Sequence, residues 1–150
     1  MAELHTLEHV RDLLNRGEAE KALESLSRAT TPSPDVSNAR AVCLMRLGHC
    51  ERAVAVYQEM LLKGGVTVDP KAPVKHVVNF ATALLLAGNV AGGISVLDDL
   101  GRTDHPGALR LRAAVQRWRK SLGIIRRLLF AVYGAVPEKP VVLDFPPGEA

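Results

Sequence analysis

Apolar positions recur at three- and four-residue intervals over most of the first 120 residues, and glycine or proline interrupts them after about every three or four turns of helix. The first such run predicts a helix over residues 3–15, with Leu4, Leu7, Val10, Leu13 and Leu14 as its stripe and Gly17 as its end. A second helix, over 18–29, turns Ala22, Leu23, Leu26 and Ala29 inward, and Thr31-Pro32-Ser33-Pro34 stops it. The third, capped by Asp35 or Ser37, carries Val36, Ala41, Val42, Leu44, Met45 and Leu47 up to Gly48. The fourth, over 51–63, buries Ala53, Val56, Tyr57, Met60 and Leu61. Gly64-Gly65 closes it, and a longer connection over 66–73 follows. The fifth, over 74–87, presents Val77, Val78, Phe80, Ala81, Leu84 and Leu85. Gly88-Asn89 then turns the chain into a sixth helix over 90–100. Its Gly92-Gly93 pair lowers helicity by about 1 kcal/mol per glycine relative to alanine. A close helix contact at Gly93 accounts for that cost.

Pro106 opens a seventh helix, in which Leu111, Val115, Trp118 and Leu122 share one face and Arg110, Arg112, Arg117 and Arg119 lie mostly off it. The helix bends or breaks around Ser121-Leu122-Gly123, and IIRRLLFAVYGAV forms one more short, very apolar helix. Prolines at 137, 140, 146 and 147 exclude a helix in the last fifteen residues. Residues 141–145 there read as a lone extended strand. The tail is either disordered or docked in extended form on this molecule or a neighbour, and its apolar residues Val141, Val142, Leu143 and Phe145 favour docking.

The helices form a repeat. Gly17/Ala22, Gly48/Ala53 and Gly88/Gly93 are three glycine–small-residue pairs of the same spacing, each set between an apolar run and a second amphipathic helix. A single helix pair cannot bury its stripe, whereas three stacked pairs share one core. The unit resembles the tetratricopeptide repeat, most clearly at Leu44, Gly48, Ala53, Tyr57 and Met60, then at Phe80, Ala81, Leu84, Gly88, Gly93, Leu97 and Leu100, and at Val10, Leu13, Gly17, Ala22, Leu26, Ala29 and Pro34. It departs from the family in lacking the tryptophan near the start of each first helix, and its turn glycines lie 31 and 40 residues apart. The resemblance implies an all-α, right-handed α-solenoid of three degenerate units (about 3–34, 35–65 and 73–104) with a capping helix over 106–120. A short apolar and basic helix (121–136) and an extended tail (137–150) complete the chain.

By the same resemblance, the first helices of the pairs line a concave groove that holds a partner peptide or helix, as expected of a non-catalytic adaptor or scaffold. Asn38, Val42, Met45, Arg46, Lys75, Val78, Asn79, Thr82, Leu85 and Leu86 are the expected groove residues, with Leu7, Arg11 and Leu14 on the same inner face. A full carboxylate clamp is not expected, because Leu7 and Arg11 stand where a lysine and an asparagine would be wanted.

Charge adds a second possibility. Residues 1–104 hold 11 Lys/Arg against 13 Asp/Glu, whereas 105–150 hold 8 against 3, with no acid between His105 and Pro137. A basic apolar helix of this kind can lie on an anionic membrane surface or on a membrane partner through Trp118, Arg119, Lys120, Arg126, Arg127, Phe130 and Tyr133. The alternative is that Leu111, Val115 and Trp118 close the repeat while the arginines face water. The slightly acidic repeat body argues against nucleic acid. Self-assembly through the groove or the tail is a third possibility.

Nothing in the sequence specifies catalysis. His5 and His9 have helical ligand spacing but no third ligand, and Cys43, His49 and Cys50 around one turn lack a second pair. Asp98, Asp99 and Asp104 have no partner base, and the double glycines lack the lysine of a phosphate loop. No enzyme activity, cofactor or metal is expected. The acidic, weakly apolar N-terminus is not a secretion signal, no run is long enough to span a bilayer, and a reducing cytoplasm, or the inner membrane face, is the expected location.

Overall fold

The computed structural model describes residues 1–28, 33–134 and 140–150. Among them are eight helices: α1 (Ala2–Asn15), α2 (Ala19–Ser27), α3 (Pro34–Arg46), α4 (Cys50–Leu61), α5 (Val74–Leu86), α6 (Val90–Asp99), α7 (Pro106–Ser121) and α8 (Ile124–Tyr133). None is long and apolar enough to cross a membrane. The expected positions Ala29, Thr31, Pro32 and Val136 lie outside the described residues.

The repetition extends to individual hydrogen bonds. Gly17, Gly48 and Gly88 all adopt left-handed φ, at 77°, 82° and 88°. Each donates its N–H to the carbonyl three residues back (Leu14, Met45, Leu85), and the next residue donates to the carbonyl five back (Leu13, Leu44, Leu84). This double closure satisfies the last carbonyls of a helix and suits glycine, which has no Cβ to clash at positive φ. The residue after the glycine (Glu18, His49 or Asn89) then accepts the first helical bond of the next element, from Ala22, Ala53 or Gly93. One turn therefore builds three hairpins: α1–α2, α3–α4 and α5–α6.

The small residues sit where these hairpins close. Ala22 and Ala53 are fully buried, with Leu26 and Tyr57 packed beside them, and a Cβ on Gly93 would stand 2.7 Å from Leu85 Cγ and 3.0 Å from the Ala81 carbonyl. Successive helices from α1 to α7 pack on one another, and α1, α3, α5 and α7 also pack side by side. The apolar interior forms two clusters. One joins α1–α4 to Phe80, Ala83 and Leu84 of α5; the other joins Val78, Ala81 and Leu85 of α5 to α6, α7, Leu122 and Val141. Helix α5 is thus surrounded, with every residue from His76 to Leu85 buried. Arg112 of α7 ties α6 down by donating to the carbonyls of Leu97 and Gly101.

Three local expectations change. Helix α3 is capped by Ser33, whose hydroxyl accepts the Val36 N–H at 3.2 Å, with Pro34 in the first turn. Asp35 lies inside the helix and its carboxylate instead faces His76. Helix α4 stops at Leu61, because Leu62–Lys63 pairs antiparallel with Thr67–Val68 across the glycine turn, in the register Leu62↔Val68 and Lys63↔Thr67. Residues 141–145 form no strand, since their neighbours are side chains of α7 and offer no sheet edge.

Candidate functional site

Helix α3 places Asn38, Val42, Met45 and Arg46 on one face, at offsets of four, seven and eight residues, and α5 places Lys75, Val78, Asn79 and Thr82 on the neighbouring face. Arg11 and Leu14 of α1 and Arg110 of α7 extend this surface at either side. Together the four odd-numbered helices form a trough, and the chain's own residues 144–150 lie along it.

The tail is held mainly through its backbone. The Asn79 amide donates from Nδ2 to the Glu149 carbonyl at 2.8 Å and accepts the Glu149 N–H on Oδ1 at 3.1 Å. Asn38 Nδ2 donates to the same carbonyl at 2.9 Å. The amide orientations are set from behind. The buried Tyr57 hydroxyl donates to Asn38 Oδ1 at 2.9 Å, as does Asn79 Nδ2, which leaves Asn38 Nδ2 for the tail. Burial pushes the Tyr57 hydroxyl well above the ordinary phenol range, so it remains a donor.

Arg46 works between elements. It donates to the carbonyls of Pro147 (3.2 Å), Gly148 (3.1 Å) and Leu14 (2.9 Å), so three carbonyl dipoles hold a guanidinium that has no carboxylate partner among the described residues. Arg11 reaches the Ala150 carbonyl at 3.3 Å. The tail's side chains add a second layer of contact. Arg110 lies 5.4 Å from the Phe145 ring centre and pairs with Glu149 at 3.0 Å, while Arg117 pairs with Asp144 at 2.9 Å. Val141 is buried against the second core cluster, and Ala150 packs on the first.

Gly148 is where backbone and trough come closest. Its φ is 77°, and a Cβ there would meet Met45 Cε at 2.7 Å and Val42 Cγ2 at 2.9 Å. The trough therefore selects glycine at this position on two grounds, the left-handed backbone and the lack of space.

The expected groove residues Asn38, Val42, Met45, Arg46, Lys75, Val78 and Asn79 do come together around residues 144–150. Thr82 lines the cleft beside Phe145, but its hydroxyl is used by the Val78 carbonyl. Leu85 faces α6 and packs on Gly93, and Leu86 packs against the first core cluster, so the wall of the trough ends a turn earlier than the stripe suggests. Trp118, expected at a membrane or partner, is buried in the second core cluster, with Phe130 of α8 edge-on against it at 5.4 Å. Sequence reasoning missed Tyr57 as the residue that orients the amides and Arg110 as a tail anchor; it favoured a docked tail without placing it in the groove. The available signal was two asparagines at inward-facing helix positions, where an amide requires a partner.

No cluster of three or more His, Cys, Asp or Glu suited to a metal occurs among the described residues. Cys43 and Cys50 are free thiols, and burial pushes the Cys43 thiol up to about 11. Compared with known proteins, the chain matches no family model, no curated protein sequence and no solved structure.

Proposed function

We propose that this chain is a non-catalytic adaptor. In this reading its hairpins stack as a right-handed solenoid of three tetratricopeptide-like units, and the concave trough binds an extended peptide of a partner protein. One observation carries the proposal: a buried asparagine pair grips both the N–H and the C=O of a single residue of an extended segment. That arrangement recognises a peptide backbone of any sequence, and nothing in core packing calls for it. The tail is then an internal stand-in for the partner. The partner's segment would carry an aromatic residue for Arg110, carbonyls for Arg46, a glycine between Val42 and Met45, and an acid after it.

A labelled peptide of sequence VVLDFPPGEA, titrated into the full chain carrying Gly148→Val, tests this. The substituted tail cannot seat, so the free peptide should bind. Adding Asn79→Ala should weaken binding by at least about tenfold, the scale of one lost buried hydrogen-bonding group. Absence of binding, or binding indifferent to Asn79, would remove the trough as a peptide site.

A further inference from the structure

Helix α8 is amphipathic in the opposite sense from the seven before it. Ile124, Ile125, Leu128, Leu129, Val132 and Tyr133 are between 45 % and 77 % exposed. At about 100° per residue these six occupy one half of the helix surface. Phe130 lies on the other half and is the residue that packs inward, on Trp118. The helix thus docks by its narrow side and turns its broad apolar face away from the protein.

Cations border that face. Arg126 and Arg127 flank it on its two sides. Arg119, Lys120 and Arg127 also line a cleft of about 590 Å³ between α7 and α8. Arg110 and Arg117 are engaged by tail carboxylates, whereas Arg119, Lys120, Arg126 and Arg127 have no acidic partner among the described residues. The sequence supplies no acid anywhere between His105 and Pro137.

We propose that this face docks on an anionic phospholipid bilayer. The apolar half of α8 would enter the headgroup–acyl boundary in the membrane plane, with the four cations meeting lipid phosphates along its edges and in the cleft. Charge selects this occupant. Two copies paired through the same face would bring two sets of unpaired cations together with no acid between them. A nucleic acid would neutralise the cations but leave six apolar side chains in water. The proposal does not depend on the trough, which lies on the tail-binding side of α1, α3, α5 and α7.

Flotation of the full chain with vesicles tests it. The protein should float with phosphatidylcholine vesicles containing about 30 mol % phosphatidylglycerol, float far less with phosphatidylcholine alone, and release as salt rises from about 50 to about 500 mM. Ile125→Ser/Leu128→Ser/Val132→Ser, which alters only exposed side chains, should abolish flotation without changing the circular dichroism spectrum and, combined with Gly148→Val, without changing the binding of the VVLDFPPGEA peptide. Arg119→Gln/Lys120→Gln/Arg126→Gln/Arg127→Gln should weaken it by about fivefold for each cation removed. The proposal is overturned if the wild type stays with the protein fraction, or if either variant floats as well as the wild type. Self-association abolished by the triple serine variant, without flotation, would assign the face to a second copy. Duplex binding lost in the glutamine variant, without flotation, would assign it to nucleic acid; either result overturns the bilayer.

Discussion

Asn38, Tyr57 and Asn79 form a three-residue relay whose outer end is the backbone of Glu149. Each amide is buried, and Asn38 Nδ2 and Asn79 Oδ1 find their partners in the tail, so the site carries a polar requirement that the tail meets. Gly148 is the most sensitive residue of the occupant. Alanine there takes on the left-handed penalty of about 1–2 kcal/mol and must also displace Met45, which is flexible, and Val42, which is not. Gly148→Ala should therefore raise the released fraction of the tail by about five- to thirtyfold, read as faster amide exchange over residues 141–150. His76 makes a second residue-scale prediction. It is buried, with Nε2 3.1 Å from Asp35 and Nδ1 without a partner. Its pKa is lowered, chiefly by burial and further by Lys75, against the opposing pull of Asp35. The fold thus favours the neutral ring. As pH falls through the unfolded value near 6.5, the unfolded chain takes up a proton that the folded chain refuses, and stability declines until the folded pKa is reached. Urea midpoints at pH 8 and pH 5 should therefore differ more for the wild type than for His76→Gln.

Among the elements, α5 and α6 show how a glycine can stabilise a helix that it locally weakens. Gly93→Ala gains about 1 kcal/mol of helix propensity but forces apart a contact whose nearest atoms are Leu85 Cγ and a backbone carbonyl. Overpacking of this kind costs about 1–3 kcal/mol. A net loss, seen as a lowered thermal midpoint, is expected, and an unchanged or raised midpoint would show that α6 can slide. The elements that could be read from the sequence were those whose signal is local. Every helix had an apolar period and a stop, and the three glycine turns share one hydrogen-bond pattern because they share one sequence frame. The Leu62–Val68 hairpin was not readable, because two-residue strands have no period and their pairing is set by where α4 delivers the chain. Helix α8 was recognised as apolar and basic, but its outward orientation depends on Phe130 finding Trp118.

At the scale of the whole molecule, the tail unites the fold. It contacts α1 through Arg11, α3 through Asn38 and Arg46, α5 through Asn79, and α7 through Arg110 and Arg117. Residues 140–150 therefore serve as a strap as well as an occupant. Removing them should expose Val42 and Met45, vacate the site of buried Val141, and lower stability by about 1–3 kcal/mol, the scale of one buried aliphatic side chain. Saturating VVLDFPPGEA peptide should restore part of that loss. A deletion that leaves the urea midpoint and the amide protection of α3 and α5 unchanged would show that the strap carries no load.

The candidate groove was legible as a set of inward positions on the first helix of each pair. Its membership failed at Leu85 and Leu86, where the helical period continues but the neighbour changes from tail to α6 and core. What the sequence by itself determined was the presence of each helix, its apolar face and the hairpin turns, since all of these rest on bonds and contacts within a few residues; Leu4, on the apolar face of α1, is nevertheless exposed. Only the tertiary structure decided what fills the trough, which side of α8 meets water, and that Tyr57, Asn38 and Asn79 act together. Those outcomes join residues from 12 to 139 positions apart, and periodicity says which face of an element is apolar without saying what will cover it.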